Sequence, residues 1–271
     1  MINFARINKK IFEPQTRMKP LILVTNDDGI TAPGIRALIS VMSEIGEVVV
    51  VAPDKPQSAM GHAITINSTL YINKISAENA AILEYSCSGT PVDCVKMAVN
   101  EILHRKPDLC VSGINHGSNS SINIIYSGTM SAAVEAGIEG IPAIGFSLAD
   151  FDWNADFDAV KSFVKKIATK VLENGLAEGV ILNVNFPKLK EKDIKGIRIC
   201  RQAKAIWMEK FDKRKTPQGK DYYWLSGEFV NLDKGEDTDE WALHNGYVSV
   251  VPVHFDMTAH HSIQQLNSWG L

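Results

Sequence analysis

Two adjacent acids stand where a run of apolar residues stops. Asp27 and Asp28 follow Leu21-Ile22-Leu23-Val24-Thr25 and Asn26, and Gly29 comes next. On a straight strand, neighbouring side chains point to opposite faces. Both acids can serve one site only if the chain turns there, and Gly29 supplies the freedom to turn. Two carboxylates held close repel unless a cation or a proton stands between them, so the pair suggests a metal site. The plainer alternative is an exposed turn with Asp28-Gly29 as its turn dipeptide. Ser58 lies in the loop after a second apolar run, and Asn115 follows a third, between Gly113 and Gly117. Asp, Asp, Ser and Asn offer only oxygen, which suits Mg²⁺, Mn²⁺ or Ca²⁺ rather than zinc. Taken singly, Ser58 is a loop hydroxyl and Asn115 a turn residue.

A different chemistry is suggested by Tyr126-Ser127-Gly128-Thr129, a small hydroxyl-rich turn just before an Ala-rich helical stretch. The start of a helix presents free N–H groups and the positive end of its dipole, which suits phosphate. The competing reading is ordinary N-capping by Ser127 or Thr129. His62 and His116 fall in the same loops and are candidates to touch a ligand; His260-His261 reads as surface. The chain carries neither G-x-x-x-x-G-K-[ST] nor a strand-linked G-x-G-x-x-G, which disfavours a P-loop hydrolase and a dinucleotide oxidoreductase.

These groups need a frame that brings them together. Continuous apolar runs at 20–25, 47–52, 108–112, 141–147 and 180–185 read as strands buried on both faces. Helical periodicity lies between them: Ile35, Leu38, Ile39, Met42 and Ile45 after Pro33; Val92 to Leu103 after Pro91; Thr129 to Gly137; and Phe157 to Val171, stopping at Asn174-Gly175. This alternation predicts a three-layer α/β/α, Rossmann-like fold with a mostly parallel sheet. In such sheets, ligands bind beyond the carboxyl ends of the strands. The polar clusters at 26–29, 53–61 and 112–129 should therefore share one edge. Ile64 to Ser86 suggests short hairpin strands at a sheet edge. From 196 onward the β-α rhythm is lost. Strand-like pieces at 197–200, 221–225 and 246–250 are separated by charged linkers at 210–215 and 233–240. The expected organisation is an extension at 1–17 followed by one domain over 18–271, with an α/β core at 18–195, a hairpin region at 196–255 and a tail at 256–271.

Composition sets outer limits. Lys plus Arg number 28 and Asp plus Glu 31, a net charge of -3, which argues against binding a nucleic-acid polymer by bulk charge. No window approaches the roughly 20 apolar residues of a membrane helix, and the N-terminal residues have no apolar stretch of signal-peptide length. The four cysteines, Cys87, Cys94, Cys110 and Cys200, form no C-x-x-C pair and fit a reducing, cytoplasmic setting.

Five segments in order resemble the motifs of the SurE family of 5'/3'-nucleotidases: Val24-Thr25-Asn26-Asp27-Asp28-Gly29-Ile30-Thr31-Ala32-Pro33-Gly34; Val51-Ala52-Pro53-Asp54 with Gln57 to Thr65; Ser88-Gly89-Thr90-Pro91-Val92-Asp93; Val111 to Gly117; and Ile125 to Ala133. The resemblance spans 18 to about 255. It implies a divalent-metal-dependent phosphatase acting on nucleoside monophosphates, with Asp27, Asp28, Ser58 and Asn115 holding one Mg²⁺ or Mn²⁺ and one of the two acids orienting or deprotonating water. A covalent aspartyl-phosphate is the competing chemistry, and short-chain polyphosphate stays open as a further substrate. Asn26, Gly61, His62, Asn119 and the Ser127-Gly128-Thr129 turn are the implied phosphate and substrate contacts. C-terminal hairpins exchanged between subunits imply a homodimer or homotetramer. The stretch 118–123 departs from the Gly-x-Asp that many members carry. Two other readings stand beside this one. A non-catalytic nucleotide-binding module needs only the fold and the phosphate turn. A haloacid-dehalogenase-like phosphatase needs two acids separated by one residue, and these are adjacent.

Overall fold

The computed structural model describes residues 19–75 and 82–271, so the expected extension at 1–17 lies outside the described residues. Among these, nine strands form one sheet: β1 (Leu21–Thr25), β2 (Glu47–Pro53), β3 (Ile72–Ile75), β4 (Leu83–Cys87), β5 (Leu109–His116), β6 (Ala143–Leu148), β7 (Val180–Phe186), β8 (Ile197–Ile199) and, later in the chain, β11 (Val248–His254). Their order is β3-β4-β2-β1-β5-β6-β7-β11-β8. From β4 to β7 all neighbours run parallel; β3 against β4 and β11 against β7 are antiparallel. The expected α/β/α architecture is the one observed.

Each layer follows from its sequence. β1 is buried along its whole length, as an unalternating apolar run in a parallel sheet should be. α1 (Pro33–Met42) begins on Pro33, whose missing N–H costs nothing at a first helical position. It packs with α4 (Lys161–Asn174) on one face of the sheet, around Ile35, Leu38, Val164 and Val171. α2 (Pro91–Met97) and α3 (Gly128–Ile138) cover the other face. Thr90 and Asp93 cap α2 reciprocally. The buried Ala132, Ala133 and Ala136 of α3 let its backbone lie close to β5 and β6.

Two regions differ from expectation. Among the described residues between 64 and 86, β3 and β4 pair antiparallel at the sheet edge as expected, but Ile64 and Ile66 lie outside any strand and β4 also joins β2 in parallel. The run 210–215, expected as a charged linker, is the second half of β9 (Ala205–Lys215), which pairs antiparallel with β10 (Asp221–Asn231) over eleven residue pairs. The cross-strand ladder overrides the charge, because almost every side chain of this hairpin faces water. Residues 239–244 form α5 and 260–267 form α6; neither shows an apolar stripe wide enough to be read from sequence. β8 and β11 return to the central sheet, so only 205–231 stands apart as a two-stranded ribbon.

Candidate active site at the carboxyl edge of the sheet

The chain turns immediately after β1. Asn26 Nδ2 donates to Gly29 O at 2.9 Å, closing the turn, and Gly29 adopts φ +99°. Ile30 N donates to Pro53 O at 2.9 Å, and Gln57 N to Asp27 O at 2.8 Å. The loop after β2 is thus fastened to the acid turn, as the shared edge requires.

Asp27 is buried against the start of α3. The Thr129 hydroxyl donates to its Oδ1. Gly128 is there because nothing larger fits: a Cβ on it would stand 2.7 Å from Asp27 Cβ. Burial, and then the charge of Asp28, push the Asp27 carboxyl up to about 7, against the pull of the Thr129 hydroxyl and backbone N–H groups. Asp28 faces the end of β5 instead. His116 Nδ1 lies 2.9 Å from Asp28 Oδ2, and His116 N donates to the same oxygen at 3.2 Å. Asp28 raises the pKa of His116, partly offset by burial. The imidazole is clamped by Trp153, stacked at 5.3 Å between centroids, and edge-on by Phe157 at 4.9 Å.

Asn115 has both amide hydrogens committed, to His116 O at 3.1 Å and Gly117 O at 2.8 Å. Its Oδ1 makes no hydrogen bond among the described residues, so an acceptor is what it offers. Ser58 is exposed, one residue from the Gln57 N–H that reaches Asp27. Gly61 N donates to Tyr126 O at 3.2 Å, which lays the Ser58 loop against the entry to α3. Among the described residues no group of three or more His, Cys, Asp or Glu forms a metal-like cluster.

Other expected residues have other partners. Ser127 Oγ accepts from Met130 N at 3.0 Å, the capping role weighed for it. His62 sits farther along α3, with Nε2 2.8 Å from Glu135 Oε2, and Lys96 pairs with the same carboxylate. Asn119 Nδ2 donates to Ser147 Oγ at 2.8 Å, and its N–H to Asn185 Oδ1 at 2.8 Å. Asn183 Nδ2 reaches Asn119 O at 2.8 Å. From the other side, Asp239 of α5 accepts from Ser121 N at 2.8 Å and Glu240 from Ser120 Oγ at 2.5 Å. The 118–121 stretch, where the family pattern is broken, is therefore held between β7 and α5.

Asn183, Asn185, Ser147 and Trp153 were not singled out by sequence reasoning. Asn183-x-Asn185 at the end of a buried strand was the available signal, because polar side chains there face the ligand edge. Trp153 lies in a polar loop and gives no signal.

The chain matches the family described as survival protein SurE over residues 22–209. It is 82% identical over 253 residues to "5'-nucleotidase SurE" of Flavobacterium psychrophilum, covering 93% of this chain and 98% of that protein. It is 70% identical over 256 residues to the protein of the same name from Christiangramia forsetii, covering 94% and 98%. The crystal structure of the SurE protein from Aquifex aeolicus superposes with a TM-score of 0.80 at 40% identity, covering 93% of this chain and all of that one. The chain belongs to the SurE family.

Proposed function

We propose that the chain is a divalent-metal-dependent phosphomonoesterase that hydrolyses nucleoside 5'- and 3'-monophosphates to nucleoside and phosphate. The observation that carries this reading is the buried Asp27, held by Thr129 at the N-terminus of α3, with Asp28 beside it at the carboxyl edge of the sheet and held by His116. A cation fits this donor set. Burial, and then the adjacent charge of Asp28, push the Asp27 carboxyl up to about 7, a strain a cation relieves, and Asn115 presents an acceptor because its donors are spent. Asp27, Asp28, Ser58 and Asn115 would hold it, and all four ligands are oxygen, as Mg²⁺ or Mn²⁺ prefers. A cation so held polarises a phosphate oxygen and lowers the pKa of water.

The chain's own groups do the rest. The helix start at Ser127-Gly128-Thr129 meets phosphate charge as it develops. One of the two acids orients or deprotonates the attacking water. Water adds to phosphorus as the P–O bond to the nucleoside breaks, and the leaving oxygen takes a proton. His116, fixed by Trp153 and Phe157, keeps Asp28 turned into the site. A non-catalytic binding module leaves the buried Asp27 and its neighbour Asp28 without a purpose.

Three further elements belong to this reading. The domain is a single unit from 18 to 271, with 205–231 as an oligomerisation arm. Its hairpin exposes Trp207, Phe211, Tyr223, Trp224 and Leu225, apolar surface suited to a second copy of the chain. A cytoplasmic location accords with four free cysteines; no helix among the described residues is long and apolar enough to cross a membrane.

The test is phosphate release from a panel of 5'- and 3'-nucleoside monophosphates and short polyphosphate with Mg²⁺ or Mn²⁺, repeated in EDTA. Metal-dependent release lost in EDTA is expected. No release with any metal from folded protein overturns the reading in favour of nucleotide binding alone.

A further inference from the structure

We infer that the exposed ring of Phe151 is the ledge on which the base of a nucleotide substrate stacks, an inference that rests on the phosphomonoesterase reading above. The loop 149–156 leaves β6 at the same sheet edge as the acids, and it is fastened around Phe151. Asp150 O accepts from Gly117 N at 3.0 Å. The Asp150 carboxylate accepts from Lys188 Nζ at 2.8 Å and from Asp152 N at 3.1 Å. Ala155 N closes the loop onto Asp152 O at 3.0 Å.

Phe151 lies directly on Gly117: a Cβ at that glycine would stand 2.3 Å from the ring's Cε1. Gly117 O is the acceptor that orients the Asn115 amide at 2.8 Å. One residue therefore separates the ring from the Asn115 oxygen donor. Trp153, two positions on, is the residue that stacks on His116, the partner of Asp28. The two aromatics thus pack on Gly117 and His116, the residues that hold Asn115 and Asp28.

Phe151 nevertheless remains 82% exposed. A phenyl ring left in water contributes almost nothing to folding, while hydrogen bonds at its neighbours Asp150 and Asp152 hold the loop on either side of it. What the arrangement supplies is a flat, preorganised aromatic surface beside a phosphate site. Bases of any identity stack on such a surface, because each has a π-face. The larger purines gain more contact than pyrimidines, and a sugar phosphate without a base gains none.

The experiment compares hydrolysis of AMP, UMP and ribose 5-phosphate by the wild type, Phe151→Ala and Phe151→Tyr under one metal condition. Loss of stacking should raise KM for AMP by roughly 5- to 100-fold in Phe151→Ala. KM for ribose 5-phosphate should move far less, so that selectivity for the nucleotide collapses, and Phe151→Tyr should restore it. Equal losses on AMP and ribose 5-phosphate, or no change on either, overturn the assignment. So does a changed oligomeric state in Phe151→Ala by light scattering with parallel losses on all substrates, which would make Phe151 an interface residue. If the wild type releases phosphate from none of the three, the phosphomonoesterase reading itself fails and this inference with it.

Discussion

The hydroxyl of Thr129, first turn of α3, donates to the carboxylate of Asp27, two residues beyond β1, across 102 positions of sequence. A helix N-terminus is thereby locked onto a buried acid at the end of a central strand. Chemistry and architecture meet in that contact: the side chain that ties the helix down also fixes the acid.

Replacing either acid by its amide should abolish turnover and leave the fold intact. Asp27→Asn and Asp28→Asn each remove a charged oxygen from the proposed cation site, and a loss of about 1,000-fold or more in phosphate release follows from several kcal/mol of lost stabilisation. Far-UV circular dichroism should match the wild type. Full activity in Asp27→Asn refutes the acid-pair assignment.

In EDTA, Asp27 should make stability depend on pH. Its folded pKa is raised from 3.8 to about 7, so the folded protein binds a proton that the unfolded chain has released. Its contribution is most favourable below pH 3.8, declines as pH rises towards 7 and is constant above. Urea melts of wild type and Asp27→Asn across that range should show the mutant gaining relative stability with pH. A difference that does not vary with pH contradicts the raised pKa.

The mirror case is Glu135. Burial alone would raise its pKa, but His62 and then Lys96 outweigh that and hold it below 4.5. A depressed carboxylate stabilises the fold above its unfolded pKa and loses that contribution as pH falls through the folded value. Glu135→Gln should be destabilising at pH 7 and converge on the wild type below about 4.5. A constant gap in denaturation midpoint would show that the ion pairs contribute nothing.

Gly128→Ala places a Cβ 2.7 Å from Asp27 Cβ. Since neither helix start nor strand end can move freely, overpacking of about 1–3 kcal/mol is expected, together with a loss of phosphate release larger than the loss of stability explains. Thermal melts and turnover measured on the same preparation decide this. A neutral substitution would mean that α3 can retreat from the acid.

On the hairpin, Phe211 and Leu225 face one another across β9 and β10 and both are exposed. Phe211→Ser with Leu225→Ser should leave the ribbon's backbone ladder and shift the protein to a smaller species by light scattering. An unchanged mass would remove the ribbon from the oligomer contact.

Much of this molecule is written locally. The unalternating apolar runs announced the parallel strands, Pro33 and Pro91 marked helix starts, and Asp27-Asp28-Gly29 declared a turn with crowded charge, because strand burial, helix initiation and turn chemistry are decided within a few residues. Five motifs in order were enough to point to the SurE family. What one dimension could not show is which acid meets which partner. That Asp27 turns to Thr129 while Asp28 turns to His116 depends on strand order, which sets β5 beside β1. That His62 leaves the acids for Glu135 depends on how far along α3 its loop lands. The charged run 210–215 became a strand only because 221–231 lay opposite to complete its hydrogen bonds, and Phe151 gained a neighbour only when β6 was placed beside β5. Local propensity fixes where elements begin and end; long-range pairing, paid in chain entropy and repaid by burial, decides which of their ends meet.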